Sequence, residues 1–443
     1  MSVVKFPTPE QKASNASPVG HAPSYYAATA NTQPARPALK GGVSCDVCVI
    51  GAGFTGISAA LHLAEKGFKV VVLEGAKVGF GASGRNGGQI VNGYSRALEN
   101  IRGRYGADAE KALGAMSLEG GRIIRERIAQ YSIACDLVDG GFVAAFSEKQ
   151  MRELEAEKTH WEQHGHHQLE MIDGKAMAGI IKTDRYIGGR LDKAGGHIHP
   201  LNLVLGEATA FESLGGAIYE DSPAVSITDG ARPRVTTPGG SVEAAFVLVA
   251  GNAYIARQVA PSIHDEIMPV STQVITTAPL PADLLEELLP ANYCIEDHNY
   301  ILDYYRRTAD NRLLYGGGSV YGAAEPHDII GKIMPNLQKT FPKLKELKVD
   351  YAWSGNFALT LTRIPSIGRI ASNVYFSHGD SGHGVTTTHL LGRLLAEAIA
   401  GQATRFDSFA RLPALPFPGG HLFRVPFCMI GAWYYGLRDK LGI

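Results

Sequence analysis

Two near-continuous apolar runs mark the clearest unit of the chain. Val47 to Ile50 form one, and Val70 to Leu73 form the other. Runs without polar alternation predict strands of a parallel sheet covered on both faces. Between them, ISAALHLAEKG carries apolar residues at helical spacing and closes on Gly67, a C-terminal cap. Residues 43–75 therefore predict strand, helix, strand. Further helices are expected over 108–130, 149–167, 201–214 and 327–347. A last one is VTTTHLLGRLLAEAIAG, where Leu390, Leu391, Leu394, Leu395, Ala398 and Ile399 follow the helical period. The block 267–325 is strand-rich, with VSTQVITTAPL, YILDYYRRT and RLLYGGGSVYG, and predicts an antiparallel sheet able to wall a pocket. PRVTTPGGSVEAAFVLVAG reads as a hairpin feeding an apolar strand.

The loop after the first strand adds chemistry. Gly51-Ala52-Gly53-Phe54-Thr55-Gly56 matches GxGxxG between a strand and a helix. The first glycine permits the turn, the second lets a pyrophosphate meet backbone, and the third lets helix and strand pack closely. The helix start then offers N–H groups and a partial positive charge to phosphates. Glu74, 18 residues beyond Gly56, closes the second strand, where a carboxylate bonds ribose hydroxyls and repels a 2′-phosphate. A dinucleotide-binding Rossmann unit opening at Cys45 is expected. Two later stretches return towards it: FVLVAGN, ending in Ala250, Gly251 and Asn252, and the Gly379–Gly384 loop with Gly382 and His383, which opens the last helix at Val385 and Thr386. A nicotinamide enzyme needs no such returns. A helix start aimed at a flavin would stabilise the negative charge that develops on reduction, so FAD is favoured over NAD.

The remaining composition mostly excludes. A net charge of -1 provides no basic field for nucleic acid. Five cysteines form no disulfide framework, and Cys45 and Cys48, three apart on a strand, are expected to point to opposite faces and hold no metal. No run approaches the length of a membrane span and the start lacks a signal-peptide pattern, so a cytoplasmic location is expected.

The runs DVCVIGAGFTGISAALHLAEKG, VVVLEGAKVGFGASGRNGGQ and YFSHGDSGHGVTTTHLLGRLLAEAI resemble the amine- and amino-acid-oxidising flavoproteins, which include D-amino-acid, glycine and sarcosine oxidases. GFGASGRNGGQ, SYYAATAN and FPGGHLFRVP narrow the resemblance to gamma-glutamylputrescine oxidases. The resemblance implies hydride transfer from the carbon beside nitrogen to the flavin. The resulting imine is hydrolysed to an aldehyde and ammonia, and oxygen yields hydrogen peroxide. It also implies that Gly51, Gly53, Gly56 and Glu74 hold the adenosine and pyrophosphate end. Gly81, Ala82, Ser83, Gly84, Arg85, Asn86, Gly87, Gly88 and Gln89 run past the pyrophosphate and flavin ring. Val225 offers backbone to adenine. Gly379, His383, Gly384, Val385 and Thr386 meet the flavin again. Sarcosine oxidases tether flavin to a cysteine before that last loop. ALTLTRIPSIGR has none, so non-covalent FAD is implied.

The fold class expected is α/β: a Rossmann-type FAD-binding domain with a second α+β substrate domain on a large, mostly antiparallel sheet, like glycine and sarcosine oxidases. The division expected is an N-terminal arm over 1–41, a discontinuous FAD-binding domain of 42–135, 188–262 and 350–410, a substrate domain of 136–187 and 263–349, and an aromatic-rich tail over 411–443. Tyr25 and Tyr26 are expected to anchor the arm. Alternation in ILDYYRRT puts Tyr304 and Arg306 on one face, where they are candidates to line the substrate pocket, Arg306 by gripping a carboxylate. His383 is the third catalytic candidate, as a group near the flavin. His197 and His199 are read as packing or lining groups without a metal, and His164, His166 and His167 as solvated surface. The tail is read as packing on the body or on a second copy rather than lying on a membrane, because Pro426 and Gly431 interrupt a clean amphipathic helix. The partners expected are a small-molecule amine and O2. Two alternatives stay open: a D-amino-acid or N-methylamino-acid dehydrogenase, and a flavin-binding protein without turnover.

Overall fold

The computed structural model describes residues 19–322, 326–344, 346–418, 423–431 and 433. The two apolar runs fall in the middle of a first sheet. Its strand order is Ser366–Ala371, Val374–His378, Gly240–Val249, Gly41–Ile50, Val70–Leu73 and Ala217–Tyr219. The five from Val374–His378 onward are parallel. Parallel strands need both faces covered, which is why the runs Val47 to Ile50 and Val70 to Leu73 lack alternation. On one face Ile57, Leu61, Val204, Leu391, Leu394 and Leu395 pack from the helices Phe54–Glu65, Pro200–Ser213 and Gly384–Ile399. On the other, Ile255, Val259 and Ile263 cover Cys48, Ile50, Val71 and Val249.

The second sheet runs Val349–Thr360, Ile267–Thr277, Leu313–Tyr321, Asp303–Arg307, Cys294–Asp297, Val138–Ala145, Gly188–His197 and Gln89–Ile90, with Leu169–Asp173 also on Gly188–His197. Only Cys294–Asp297 and Val138–Ala145 pair in parallel. One face carries Ile275, Tyr305, Tyr315 and Phe142 against Leu285, Leu337 and Phe341. The opposite face, with Tyr304, Val274, Leu314 and Trp353, packs on the first unit. The fold is therefore the α/β arrangement expected. However, Gly188–His197 and Val349–Thr360 hydrogen-bond in the second sheet, although the sequence division put 188–262 and 350–410 with the cofactor unit. Glycines at 188, 189, 195 and 196 hide the first of these strands from any alternation rule.

Three helix boundaries differ. The expected 108–130 helix is two, Ala107–Met116 and Glu119–Tyr131, separated where the Ser117 hydroxyl bonds the Gly114 carbonyl. The 149–167 helix is Glu148–Gln163, with Gly165 beyond its end at positive φ. The 327–347 helix is Ile329–Thr340, because Pro342 disfavours helical backbone at Phe341. Cys45 and Cys48 both lie in one apolar cluster, so alternation does not separate them as expected. Asp46 and Val47 both donate to the Lys69 carbonyl there, a local irregularity in the strand.

Candidate functional site

The helix Phe54–Glu65 starts at Gly53 with no side-chain cap and no acid in its first turn. Its first N–H groups face the loop rather than a carboxylate of their own segment, as an anion site requires. Gly51 sits at φ +106, and a Cβ there would stand 2.8 Å from the Ala250 carbonyl oxygen. A Cβ on Gly56 would stand 1.9 Å from the Gly51 carbonyl oxygen. Both positions therefore exclude any side chain. Glu74 accepts from the Ala52 and Ala76 N–H groups, each at 2.8 Å, which fixes its carboxylate at the strand end beside the glycine turn. Ser222 donates to the Glu74 carbonyl, so the chain leading to Val225 lies alongside. The Val225 N–H is already bonded to the Thr236 carbonyl at 2.8 Å.

The 79–93 loop is pinned by its own side chains. Ser83 Oγ accepts from the Phe54 N–H at 2.9 Å, tying the loop to the helix start. Ala82–Gly84 is one 3-10 turn. Asn86 donates to the Ala82 and Ser83 carbonyls and accepts from the Gly88 N–H. Arg85 donates to the Phe80 carbonyl and lies over the Phe80 ring, while Trp353 Nε1 donates to the Arg85 carbonyl. Gly81 faces the Tyr254 ring. Gln89 enters the second sheet opposite His197.

The two later returns meet each other and the first loop. Asn252, at φ +46, donates to Asp380 at 3.0 Å and accepts from the Gly379 N–H at 2.9 Å. Gly251 follows Ala250, which abuts Gly51. Burial raises the Asp380 carboxyl to about 6. Gly379 and Gly382 carry positive φ, and a Cβ on Gly384 would strike the Asp380 carboxylate. His383 opens the helix Gly384–Ile399 and makes no capping bond; desolvation lowers its pKa to about 4, so it is neutral at pH 7. Val385 is buried, and the Thr386 hydroxyl donates to the Val91 carbonyl. This helix packs along Phe54–Glu65 through Ser58, which donates to the His389 carbonyl at 3.1 Å. The starts of both helices thus lie on one side of the first sheet.

Tyr304 and Arg306 do share the face that looks onto the 79–93 loop. The Tyr304 ring sits where a Cβ on Gly87 or Gly316 would be. Arg306, however, is not free to grip a substrate. It is 3% exposed and donates to the carbonyls of Gly87 (2.8 Å) and Ile198 (2.9 Å) and to the Tyr26 hydroxyl (3.2 Å). It clamps the loop and the N-terminal arm to the second sheet, and the carboxylate-gripping role expected from sequence is withdrawn. Tyr25 and Tyr26 are buried as expected, with Tyr25 donating to Asp310 at 2.8 Å.

The histidines divide differently from the sequence reading. His197 bonds the Asn292 carbonyl, and His199 accepts from the Asn202 N–H. Burial and the Arg306 charge hold both near 3, so they are neutral packing groups. His164 and His166 are not solvated. His166 is buried with Nε2 3.1 Å from Asp192, and His164 is mostly covered over Gly114; only His167 is exposed. Residues 423–431 are helical despite Pro426; Val425 and Cys428 pack on the body, while Phe423, Phe427, Met429 and Ile430 are exposed on the single chain, which is the side open to the second copy that the expectation also named. Among the described residues, no helix is long and apolar enough to cross a membrane.

Besides Asp380, the site contains a second acid that the sequence reading missed. Glu296 lies opposite Tyr304 in register, on the same face, and accepts from Gln89 Nε2 at 3.3 Å. Burial pushes its carboxyl up to about 7, against the pull of Arg190. An acid next to the apolar pair Cys294-Ile295, in a strand bordering YILDYYRRT, was the available signal.

A helix start with no acid in its first turn, glycines that no side chain can replace, a fixed acid at the strand end and two further returns together fit FAD. The family model described as FAD dependent oxidoreductase matches residues 46–398. The chain is 55% identical over 423 residues to gamma-glutamylputrescine oxidoreductase of Escherichia coli (strain K12), covering 96% of this chain and 99% of that one. It is 40% identical to a probable oxidoreductase, OrdL, of Haemophilus influenzae, over 95% of this chain and 98% of the other. Glycine oxidase from Geobacillus kaustophilus has the same fold, with a TM-score of 0.68 at 20% identity, covering 82% of this chain and 96% of that chain. The chain thus belongs to the FAD dependent oxidoreductase family, and FAD is its cofactor.

Proposed function

We propose that this enzyme oxidises the primary amine of gamma-glutamylputrescine, or of a closely related acylated diamine. Amine, water and O2 would become aldehyde, ammonia and hydrogen peroxide. The observation that carries the substrate is the whole-length 55% identity to the Escherichia coli protein of that name. Bound FAD supplies the hydride acceptor and passes two electrons to O2. The protein's own tasks are to bind the amine, remove its proton and keep the reacting carbon against the ring. An alkylammonium carries its charge at neutral pH and cannot release hydride until it is deprotonated. Glu296 suits this task. It stands on the face above the 79–93 loop, and its pKa of about 7 allows it to meet the cation as carboxylate and to hold a proton afterwards. Gln89 orients it from the loop itself. Tyr304 forms an apolar wall beside Gly87, and Arg306 holds that wall and loop together.

In this reading the first sheet carries the cofactor and the second carries the amine pocket, with FAD held non-covalently in a cytoplasmic enzyme. The test is a peroxide-release screen over gamma-glutamylputrescine, free putrescine, D-amino acids and sarcosine. Peroxide formation fastest with gamma-glutamylputrescine supports the proposal. Fastest turnover with a D-amino acid or sarcosine refutes the substrate, and turnover with a quinone but no peroxide refutes the oxidase.

A further inference from the structure

Away from the flavin loops, three side chains from two helices converge. Glu110 comes from Ala107–Met116, His160 from the last turn of Glu148–Gln163, and His164 caps that same helix. Positions 160 and 164 are four apart, so both rings leave one helix face. Glu110 Oε1 is 3.0 Å from His160 Nε2 and 3.7 Å from His164 Nε2. The three donor atoms all lie within 4.8 Å of one another.

The Glu110–His160 contact is close without being an aligned hydrogen bond, and here, unlike the similar His166–Asp192 contact, a third donor stands beside it. The Glu110 side chain is 5% exposed, yet Oε1 has no hydrogen-bond partner, and His160 Nε2 has none either. Metal ligands behave this way, because their lone pairs converge on a point off the line between any two donors. For ligands at about 2.0–2.1 Å in a tetrahedron, neighbouring donors stand about 3.3 Å apart. The two measured separations bracket that value. The surroundings also orient the donors. Arg102 donates to Glu110 Oε2 at 3.0 Å, which leaves Oε1 to face the rings. Glu99 Oε1 is 3.6 Å from His160 Nδ1, beyond hydrogen-bond reach, and adds negative charge on the far side of the ring. Gly114 makes room for the His164 ring, since a Cβ there would be 2.3 Å from Nδ1.

We propose that Glu110, His160 and His164 form a binding site for one divalent transition-metal ion of the zinc type, with water completing the coordination. Two imidazoles and one carboxylate suit zinc and disfavour magnesium or calcium, which prefer all-oxygen shells. The ion clamps the Glu148–Gln163 helix, beside the second sheet, to the helix pair Leu98–Tyr105 and Ala107–Met116. Trp161 on the same helix covers Gly93, at the end of the flavin loop, so the clamp also steadies the wall of that loop. The ion takes no part in the oxidation.

The test uses holoenzyme stripped with a chelator and exchanged into metal-free buffer, then titrated with Zn2+ and with Co2+. The expected result is one ion per chain, the visible d–d bands of tetrahedral Co2+ outside the flavin absorption, and a Tm that rises with added zinc. His164→Ala should remove the Co2+ bands, and His167→Ala should leave both binding and turnover unchanged. Flavin content reports folding of each variant. Failure of the wild-type enzyme to take up one ion, or equal uptake by a flavin-loaded His164→Ala variant, overturns the proposal. If His164→Ala loses flavin, the wild-type Co2+ spectrum and stoichiometry decide alone.

Discussion

Replacing Arg306 by Met separates two accounts of the residue. In one, its guanidinium binds substrate; in the other, it is a buried clamp. The structure gives it three main acceptors, the Gly87 carbonyl, the Ile198 carbonyl and the Tyr26 hydroxyl. Met retains most of the volume and none of the donors. Two buried carbonyls then lose a charge-assisted partner, at about 1–3 kcal/mol each. Relief from burying the cation offsets part of this. A net loss of about 3 kcal/mol is expected, which for a chain of this length corresponds to a fall in Tm on the order of 5 °C. Because Gly87 belongs to the flavin loop, FAD affinity should fall as well. The assay measures Tm, FAD dissociation and the kcat and KM of the FAD-saturated variant. The clamp predicts loss of stability and of FAD, with KM changed less than about 3-fold once FAD is saturating. A tenfold rise in KM with unchanged Tm and FAD binding refutes the clamp and restores Arg306 as a substrate anchor.

Gly56→Ala forces a Cβ to 1.9 Å from the Gly51 carbonyl oxygen, so the purified variant should carry little flavin by absorbance ratio; full FAD content would contradict the close approach. Glu296 has its pKa raised, so it is neutral below about 7 and charged above. The kcat/KM for the ammonium substrate should therefore rise through that pH, and Glu296→Gln should abolish this limb and lower kcat/KM by about 10²–10⁴-fold. Stability runs the opposite way: this group favours the folded state most below the ordinary carboxylate range, and that contribution is lost as pH rises through about 7, as a pH series of Tm with and without Glu296→Gln would show. Acid precipitation of the protein should leave all yellow colour in the supernatant, since ALTLTRIPSIGR contains no cysteine to tether FAD; colour in the pellet would indicate a covalent bond.

The parts legible in the sequence were those written in local pattern. Gly51, Gly53, Gly56 and Glu74 declare themselves by spacing between an apolar strand and a helix. The Gly379–Gly384 loop does so by preceding a strongly periodic helix. That these loops meet through Asn252 and Asp380 is a matter of strand order, which no local window contains. Gly188–His197 was illegible as a strand because its glycines leave no side chains to alternate. Arg306 was read correctly as to face and wrongly as to role. Alternation shows where a side chain points, but not that the Gly87 and Ile198 carbonyls already wait there. Glu296 lay in a four-residue strand too short for a periodic signal, and its place opposite Tyr304 comes only from sheet register.

The central claim is that a gamma-glutamylated diamine is the hydride donor to this enzyme's FAD. Anaerobic titration of the purified yellow protein with gamma-glutamylputrescine measures this directly. The account predicts complete bleaching of the flavin by one equivalent, with the colour returning when O2 is admitted and one equivalent of peroxide formed. A flavin that stays oxidised with this amine, yet bleaches with a D-amino acid or sarcosine, contradicts it.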